Sequence, residues 1–355
     1  MKLQDLGWTE DWQHKFEPYR GATLAPGRVL AEHKNSYRVA TESVELAAEV
    51  AGRLRYESFR RSDFPAVGDF VALRLPPGQG PAIVHGILPR KTVFARKVAG
   101  ERSEEQVIAA NLDVIFIVTA LDRDFNLRRL ERYLTQVWEG GAQPVVLLNK
   151  SDVCEDVDKV IATFDPIAFG VPSHVISALA GEGLERLEPY LASGSTVGFV
   201  GSSGVGKSTL LNRLLGSEAQ ATREVRIQDK RGRHTTTHRE LFLLPGGGIV
   251  IDTPGMRELQ LLSDEEGLKR TFVDIDALAA QCAFRDCRHV SELGCAVRAA
   301  LEAGDLDAKR LASFNKLNQE MRYIESRQDK NAMLERKRLD RIANKAMKPF
   351  KSHRS

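Results

Sequence analysis

Gly201-Ser202-Ser203-Gly204-Val205-Gly206-Lys207-Ser208 decides how the rest of the chain is read. The stretch fits G-x4-G-K-[ST], a loop whose backbone N–H groups close around phosphate oxygens. Glycines are needed because a Cβ would keep the backbone from the anion. Lys207 neutralises the β- and γ-phosphates and is the catalytic cation; the Ser208 hydroxyl suits Mg²⁺. Context supports the match. The apolar segment Thr196 to Val200 reads as a strand, and Lys207 to Leu215 as a Leu-rich helix containing Thr209. The helix adds its positive dipole end to the site.

Upstream, Asn149-Lys150-Ser151-Asp152 follows the buried strand Pro144 to Leu148. A carboxylate at Asp152 accepts hydrogen bonds from guanine N1–H and the 2-amino group. Adenine offers neither, which would leave that carboxylate desolvated and unpaired. The Lys150 stem can cover the base plane. Ser177-Ala178 follows the strand Val175-Ile176 and can add a backbone contact to the guanine carbonyl. Each motif lies just past a strand's C-terminal end, where open α/β sheets bind ligands. The nucleotide expected is GTP or GDP.

Downstream, Asp252-Thr253-Pro254-Gly255 ends the strand Ile249 to Ile251. Asp252 suits the Mg²⁺ shell and the Gly255 N–H suits sensing of the γ-phosphate. Between lies Gly232-Arg233-His234-Thr235-Thr236-Thr237, a candidate switch loop in which a threonine, Thr235 or Thr236, closes onto Mg²⁺. An ordinary turn is the competing reading of that run. The linear order is base recognition, phosphate loop, then switches. Ordinary small GTPases begin with the phosphate loop, so this is the order of a circular permutation. The old termini are joined between Leu191 and Thr196, and new ends opened after the Asp252 element.

Around this centre, Asp113 to Ala120 is a further strand and Asn126 to Glu139 a helix; Leu184 to Leu191 also reads as a helix. Alternating strands and helices predict a mostly parallel sheet covered on both faces. Leu241 to Leu244 and Ile249 to Ile251 form a hairpin through Pro245-Gly246-Gly247-Gly248. Before residue 100, short apolar runs over 28–30, 36–40, 44–50, 68–75 and 82–88 predict a small barrel of the OB type, with an SH3-like barrel the alternative. Beyond about 260, Leu311, Phe314, Leu317, Met321 and Ile324 recur at helical spacing.

Three of the four cysteines fall within 14 residues, in the pattern Cys282-x4-Cys287-x-His289-x5-Cys295. Three thiolates and an imidazole make a tetrahedral set for one Zn²⁺. Four protein ligands leave no open position, so the site is expected to be structural. Buried small hydrophobes are the competing reading.

The chain has 355 residues and a net charge of +3. Residues 53–102 carry a net +6, residues 331–355 another +6, and the remainder −9. Two basic stretches flank an acidic middle, as suits a polyanion gripped at two places; two solvated surfaces are the competing reading. No run approaches the roughly 18 apolar residues of a membrane span. Few cysteines and no signal sequence lead to the expectation of a cytoplasmic monomer without membrane association.

These pieces resemble the ribosome small-subunit-dependent GTPases known as RsgA or YjeQ. The resemblance spans nearly the whole chain. It includes Leu6-Gly7-Trp8, Val67-Gly68-Asp69, Leu88-Pro89-Arg90-Lys91 and Ala109-Ala110-Asn111-Leu112-Asp113, besides the nucleotide elements and the Cys/His spacing. It implies an N-terminal extension (1–27), an OB-fold RNA-binding barrel (28–100), a circularly permuted GTPase domain (101–260) and a zinc-binding helical domain with a basic C-terminal helix (261–355). It also implies late maturation of the small ribosomal subunit, contact with its rRNA, and hydrolysis stimulated by the subunit. Met256 stands where Ras-type enzymes carry a water-orienting glutamine. His234 is the candidate to replace it, and the family's motif likewise has a histidine there; an RNA-contacting or capping role is the alternative. Two other functions stay open: an RNA-binding scaffold with GTP as a structural ligand, and a permuted GTPase serving the large subunit.

Overall fold

Turn residues cut residues 25–87 into five short strands: β1 (Ala25–His33), β2 (Ser36–Ala40), β3 (Glu45–Val50), β4 (Phe70–Arg74) and β5 (Ala82–Ile87). They pair in the order β1-β2-β3-β5-β4, and β4 closes back on β1. β3 and β5 run parallel, and a short helix, α2 (Gly52–Glu57), intervenes between β3 and β4. That closed order is the OB-type barrel, and it decides between the two barrels the strand spacing allowed. Inside lie Val29, Val39, Ala48, Val71, Leu73 and Val84. The computed structural model describes residues 2–21, 23–33, 36–58, 60–97, 105–122, 125–165, 167–168, 170–216, 239–252 and 265–326. It divides into two compact units, 1–260 and 261–355.

The N-terminal segment packs on the barrel through α1 (Glu10–Phe16). The Trp8 and Trp12 rings lie 5.2 and 4.5 Å from Phe70, and Lys91 Nζ sits 4.9 Å above Trp12. β6 (Val93–Lys97) and β7 (Glu105–Ala110) pair as a separate two-stranded sheet. No alternation marks β7 in the sequence.

β8 (Val114–Ala120), β9 (Gln143–Asn149), β10 (Ser173–Val175), β11 (Thr196–Val200), β12 (Glu240–Leu243) and β13 (Ile249–Asp252) form the GTPase-type sheet in the order β10-β9-β8-β11-β13-β12. The first five in that order are parallel; β12 is antiparallel to β13. Successive residues of β8 feed opposite cores. Ile115 and Ile117 join Leu130, Leu134 and Val137 of α3 (Leu127–Glu139) on one face. Val114, Phe116 and Val118 join Leu210, Leu211 and Leu215 of α5, over 207–216, on the other. Burial on both faces explains why these strands read as unbroken apolar runs. α4 (Val157–Phe164) connects β9 to β10. The expected helix at 184–191 is a 3-10 segment, Leu184–Tyr190. Pro189 lies inside it and cannot donate the hydrogen bond an α-helix would need there.

Barrel and sheet are continuous, because Ala31 of β1 pairs with Glu240 of β12. The side chains repeat the join: Arg38 pairs with Glu240, and Arg239 reaches Glu32 and the Val107 carbonyl. Two arginines hold the junction from inside. Arg90 makes a bidentate pair with the buried Asp69 (2.7 and 2.8 Å) and also donates to the Ser62 and Phe64 carbonyls. The Val67-Gly68-Asp69 and Leu88-Pro89-Arg90-Lys91 motifs thus meet in one ion pair. Arg28 is 1% exposed and donates to Leu6 O, Gly68 O, Asn111 O and Thr196 Oγ1. It ties N-terminal segment, barrel and central strand together. Burial lowers its pKa to about 10, so it still carries its charge at neutral pH.

The second unit is helical: α6 (Glu265–Thr271), α7 (Val273–Ala279), α8 (Ala296–Ala303) and α9 over 308–326. Leu311, Leu317, Met321 and Ile324 bury one face of α9, as their spacing predicts. Arg310 grips the Asp274 carboxylate with two bonds of 2.6 Å.

Candidate nucleotide site and metal centre

The five parallel strands deliver their following residues to one edge of the sheet. Gly201 follows β11, Leu121 follows β8, Asn149 ends β9, Ser177 lies two residues past β10, and Asp252 ends β13. That edge is where open parallel sheets bind ligands. The phosphate loop fits tightly into it. A Cβ on Gly201 would sit 2.2 Å from Val118 O, and one on Gly206 would sit 2.3 Å from Asn149 Nδ2. Both residues have positive φ (144° and 99°), so side chains are excluded by space and by backbone conformation. Lys207 Nζ donates to the Gly201 and Ser202 carbonyls (2.7 and 2.5 Å). Ser208 and Thr209 are exposed at the start of α5, and Val205 is buried beneath the loop.

Asn149 is the hinge of the arrangement. Its buried amide donates to Val205 O (2.7 Å) and accepts from the Ala178 N–H (2.9 Å). Both ends of the side chain are engaged by protein, so Asn149 joins the phosphate loop to the Ser177-Ala178 turn. The Ser177 hydroxyl donates to Asp152 Oδ1 (2.6 Å), fixing a carboxylate that is otherwise exposed. The Ser151 N–H donates to Ile176 O (3.2 Å). Lys150 adopts a left-handed backbone (φ +66°) and pairs with Asp122 (2.8 Å). Three motifs far apart in sequence are therefore bonded into one surface. His234, Thr235, Thr236 and Gly255 lie outside the described residues, as does the basic stretch 331–355.

Some residues at this edge carry no motif. Asp122 comes from the connection after β8 and Arg129 from the first turn of α3, and Arg129 Nη1 donates to Ser202 Oγ (2.6 Å). Nothing in the local sequence distinguishes either from a solvated surface charge; only strand order brings them here.

In the helical unit, the ligand atoms of Cys282, Cys287, His289 and Cys295 all lie within 4.8 Å of one another. Zinc bonds of about 2.3 Å to sulfur and about 2.0–2.1 Å to nitrogen give tetrahedron edges of about 3.8 Å (S–S) and about 3.6 Å (S–N). The cluster shows 3.9 Å between the sulfurs of Cys282 and Cys295, and 3.6 and 3.5 Å from those sulfurs to His289 Nδ1. The residues therefore fit such an ion. The turn that presents His289 (φ +61°) is closed by Glu292, whose carboxylate accepts from the Arg288, Val290 and Ser291 N–H groups. Those bonds hold its pKa near 2.

Comparison with known proteins agrees with this geometry. Residues 87–262 match the model of the RsgA GTPase family. A small ribosomal subunit biogenesis GTPase RsgA of Opitutus terrae is 48% identical over 338 residues, covering 93% of this chain and 92% of that protein. RsgA 2 of Lactiplantibacillus plantarum is also 48% identical, covering 95% and 94%. The crystal structure of YjeQ from Thermotoga maritima superposes with a TM-score of 0.63 at 27% identity, covering 84% of this chain and 98% of that one. YloQ, described as a circularly permuted GTPase, superposes at 0.60, also at 27% identity, covering 86% and 96%. With likeness running from the N-terminal barrel through the permuted sheet to the Cys/His cluster, this chain belongs to the RsgA family of GTPases.

Proposed function

We propose that this GTPase acts in maturation of the small ribosomal subunit, binding the subunit and its rRNA and hydrolysing GTP to GDP and phosphate while docked there. The Asn149 amide is the observation that carries the nucleotide assignment, because it bonds the base-reading turn to the phosphate loop. In this reading Asp152 accepts from guanine, Lys150 covers the base, and Ser177-Ala178 meets its carbonyl. Residues 201–209 hold the phosphates. Ser208 and Asp252 would hold Mg²⁺, which supplies charge neutralisation between the β- and γ-phosphates. Thr235 or Thr236 and Gly255 would sense the γ-phosphate, and His234 would orient the attacking water.

Cys282, Cys287, His289 and Cys295 would hold one Zn²⁺ as a structural ion. An RNA partner is supported by the barrel, where α2 and the turn after it expose Arg53, Arg55, Arg60 and Arg61 around a Tyr56 that is 86% exposed. Exposed aromatics among arginines suit bases and phosphates together. Among the described residues no helix is long and apolar enough to cross a membrane; we place the protein in the cytoplasm as a monomer. The test is GTP turnover with and without isolated small subunits, with large subunits as control. Stimulation by the small subunit alone is expected; equal stimulation by both would overturn the partner assignment.

A further inference from the structure

We infer that Arg129 is a positioning residue of the nucleotide site, an intramolecular arginine that fixes the phosphate loop from outside every recognised motif. The inference rests on the GTPase reading above and adds an element to it.

α3 begins beside the phosphate loop because β8 and β11 are neighbours in the sheet. Asn126 caps the helix, its side chain accepting from the Arg129 N–H (3.0 Å), which anchors the first turn that carries Arg129. From there the guanidinium donates to Ser202 Oγ at 2.6 Å. The carbonyl of that same serine accepts from Lys207 Nζ. Arg129 and the phosphate-binding lysine thus share one loop residue, and Arg129 constrains the loop where the lysine rests. Besides these, the loop is held by the tight fit of Gly201 against Val118 O and by the Asn149 bond to Val205 O. Arg129 adds a cation next to a loop that must hold several negative charges. Half-buried in α3, its guanidinium is screened less than a surface charge. Asp122, which follows β8, pairs with Lys150 at the base-reading end. Asp122 and Arg129 therefore brace the two ends of the nucleotide site.

The test is a double-mutant cycle on the full chain, reading the Kd for GDP and for a non-hydrolysable GTP analogue. Arg129→Ala is expected to weaken both by about tenfold or more, the size of a lost charge-assisted hydrogen bond. Ser202→Ala should weaken them by a smaller factor. The double variant should be no worse than Arg129→Ala alone, because the same hydrogen bond is removed either way. Arg129→Lys should recover part of the loss and Arg129→Gln less, since charge is part of the effect. Basal turnover should show the loss mainly in KM. Melting temperatures accompany each variant; if Arg129→Ala does not fold, the Gln and Lys variants carry the cycle. Affinities within twofold of the parent, or effects of Arg129 and Ser202 that multiply independently, overturn the inference. A parent chain that bound no guanine nucleotide would instead sink the GTPase reading itself.

Discussion

The nucleotide site and the Cys/His cluster are built in opposite ways. The cluster is local: four ligand residues lie within 14 positions, and the turn between them is shaped by the Glu292 carboxylate. The nucleotide site is assembled across the chain, from Asp122 through Asn149 and Ser177 to the loop at 201–208 and Asp252. Its parts are held by a two-faced hydrophobic core and by side chains that bridge strands. The local site sits on a smaller core, built on Leu268, Phe272, Ile275 and the apolar face of α9, to which a bound ion would add cohesion. A dispersed site needs no ion to fold, but it depends on distant residues that keep the strands in place.

Removing the metal should give the largest effect and the sharpest contrast. Cys287→Ala, or exhaustive chelation of the parent, is expected to unfold the helices described over 265–326, since structural zinc contributes about 10–16 kcal/mol of apparent binding energy in small domains. All three tryptophans (Trp8, Trp12 and Trp138) lie in the first unit. Helical circular dichroism should therefore fall while tryptophan fluorescence and GDP affinity hold. Loss of nucleotide binding together with the metal would erase the distinction between the two sites, and purified protein carrying no zinc would remove its basis.

Arg28→Leu tests the other half of the comparison. It should destabilise the first unit by about 3–5 kcal/mol, because Leu6 O, Gly68 O, Asn111 O and Thr196 Oγ1 lose one shared donor. Urea unfolding followed by tryptophan fluorescence reads this directly. A midpoint shift within error would mean that Arg28 is not what holds the barrel and sheet together.

Asp152→Asn should leave both folds intact and cost about 1.5–3 kcal/mol of GTP affinity, because an amide presents a donor to guanine N1–H. Xanthosine triphosphate should become the better ligand. Equilibrium titration of both nucleotides checks this, and unchanged GTP affinity refutes guanine reading at that residue.

The smallest effects separate grip from chemistry. Neutralising Arg336, Lys337, Arg338 and Arg341 should weaken small-subunit binding and lower its salt slope by about 0.7–0.9 for each phosphate no longer neutralised, with basal turnover unchanged. His234→Ala should do the reverse, keeping GTP-dependent subunit binding while losing stimulated turnover. An unaltered salt dependence counts against the two-ended grip, and full stimulation of His234→Ala removes that histidine from catalysis.

Sequence alone was enough to find the G-x4-G-K-S loop, the Asn149-Lys150-Ser151-Asp152 motif, the permuted order and the Cys/His set. Each is a short run whose chemistry is fixed by residue type and spacing. The amphipathic α9 was equally legible, because helical periodicity is a local property. Tertiary structure alone decided the OB-type closure, since strand spacing is the same in barrels of different connectivity. It also decided that Arg28 and Arg90 staple the junction, that Asn149 is spent on protein bonds, and that Asp122 reaches Lys150 and Arg129 reaches Ser202. In the sequence Arg28, Asp122 and Arg129 are polar residues like any other on the surface, and the motifs that hold Arg90 and Asn149 do not say which atoms those side chains bond. Their roles depend on which strands become neighbours, and that is set by the burial of apolar residues scattered along the first 260 positions, a quantity no single segment contains.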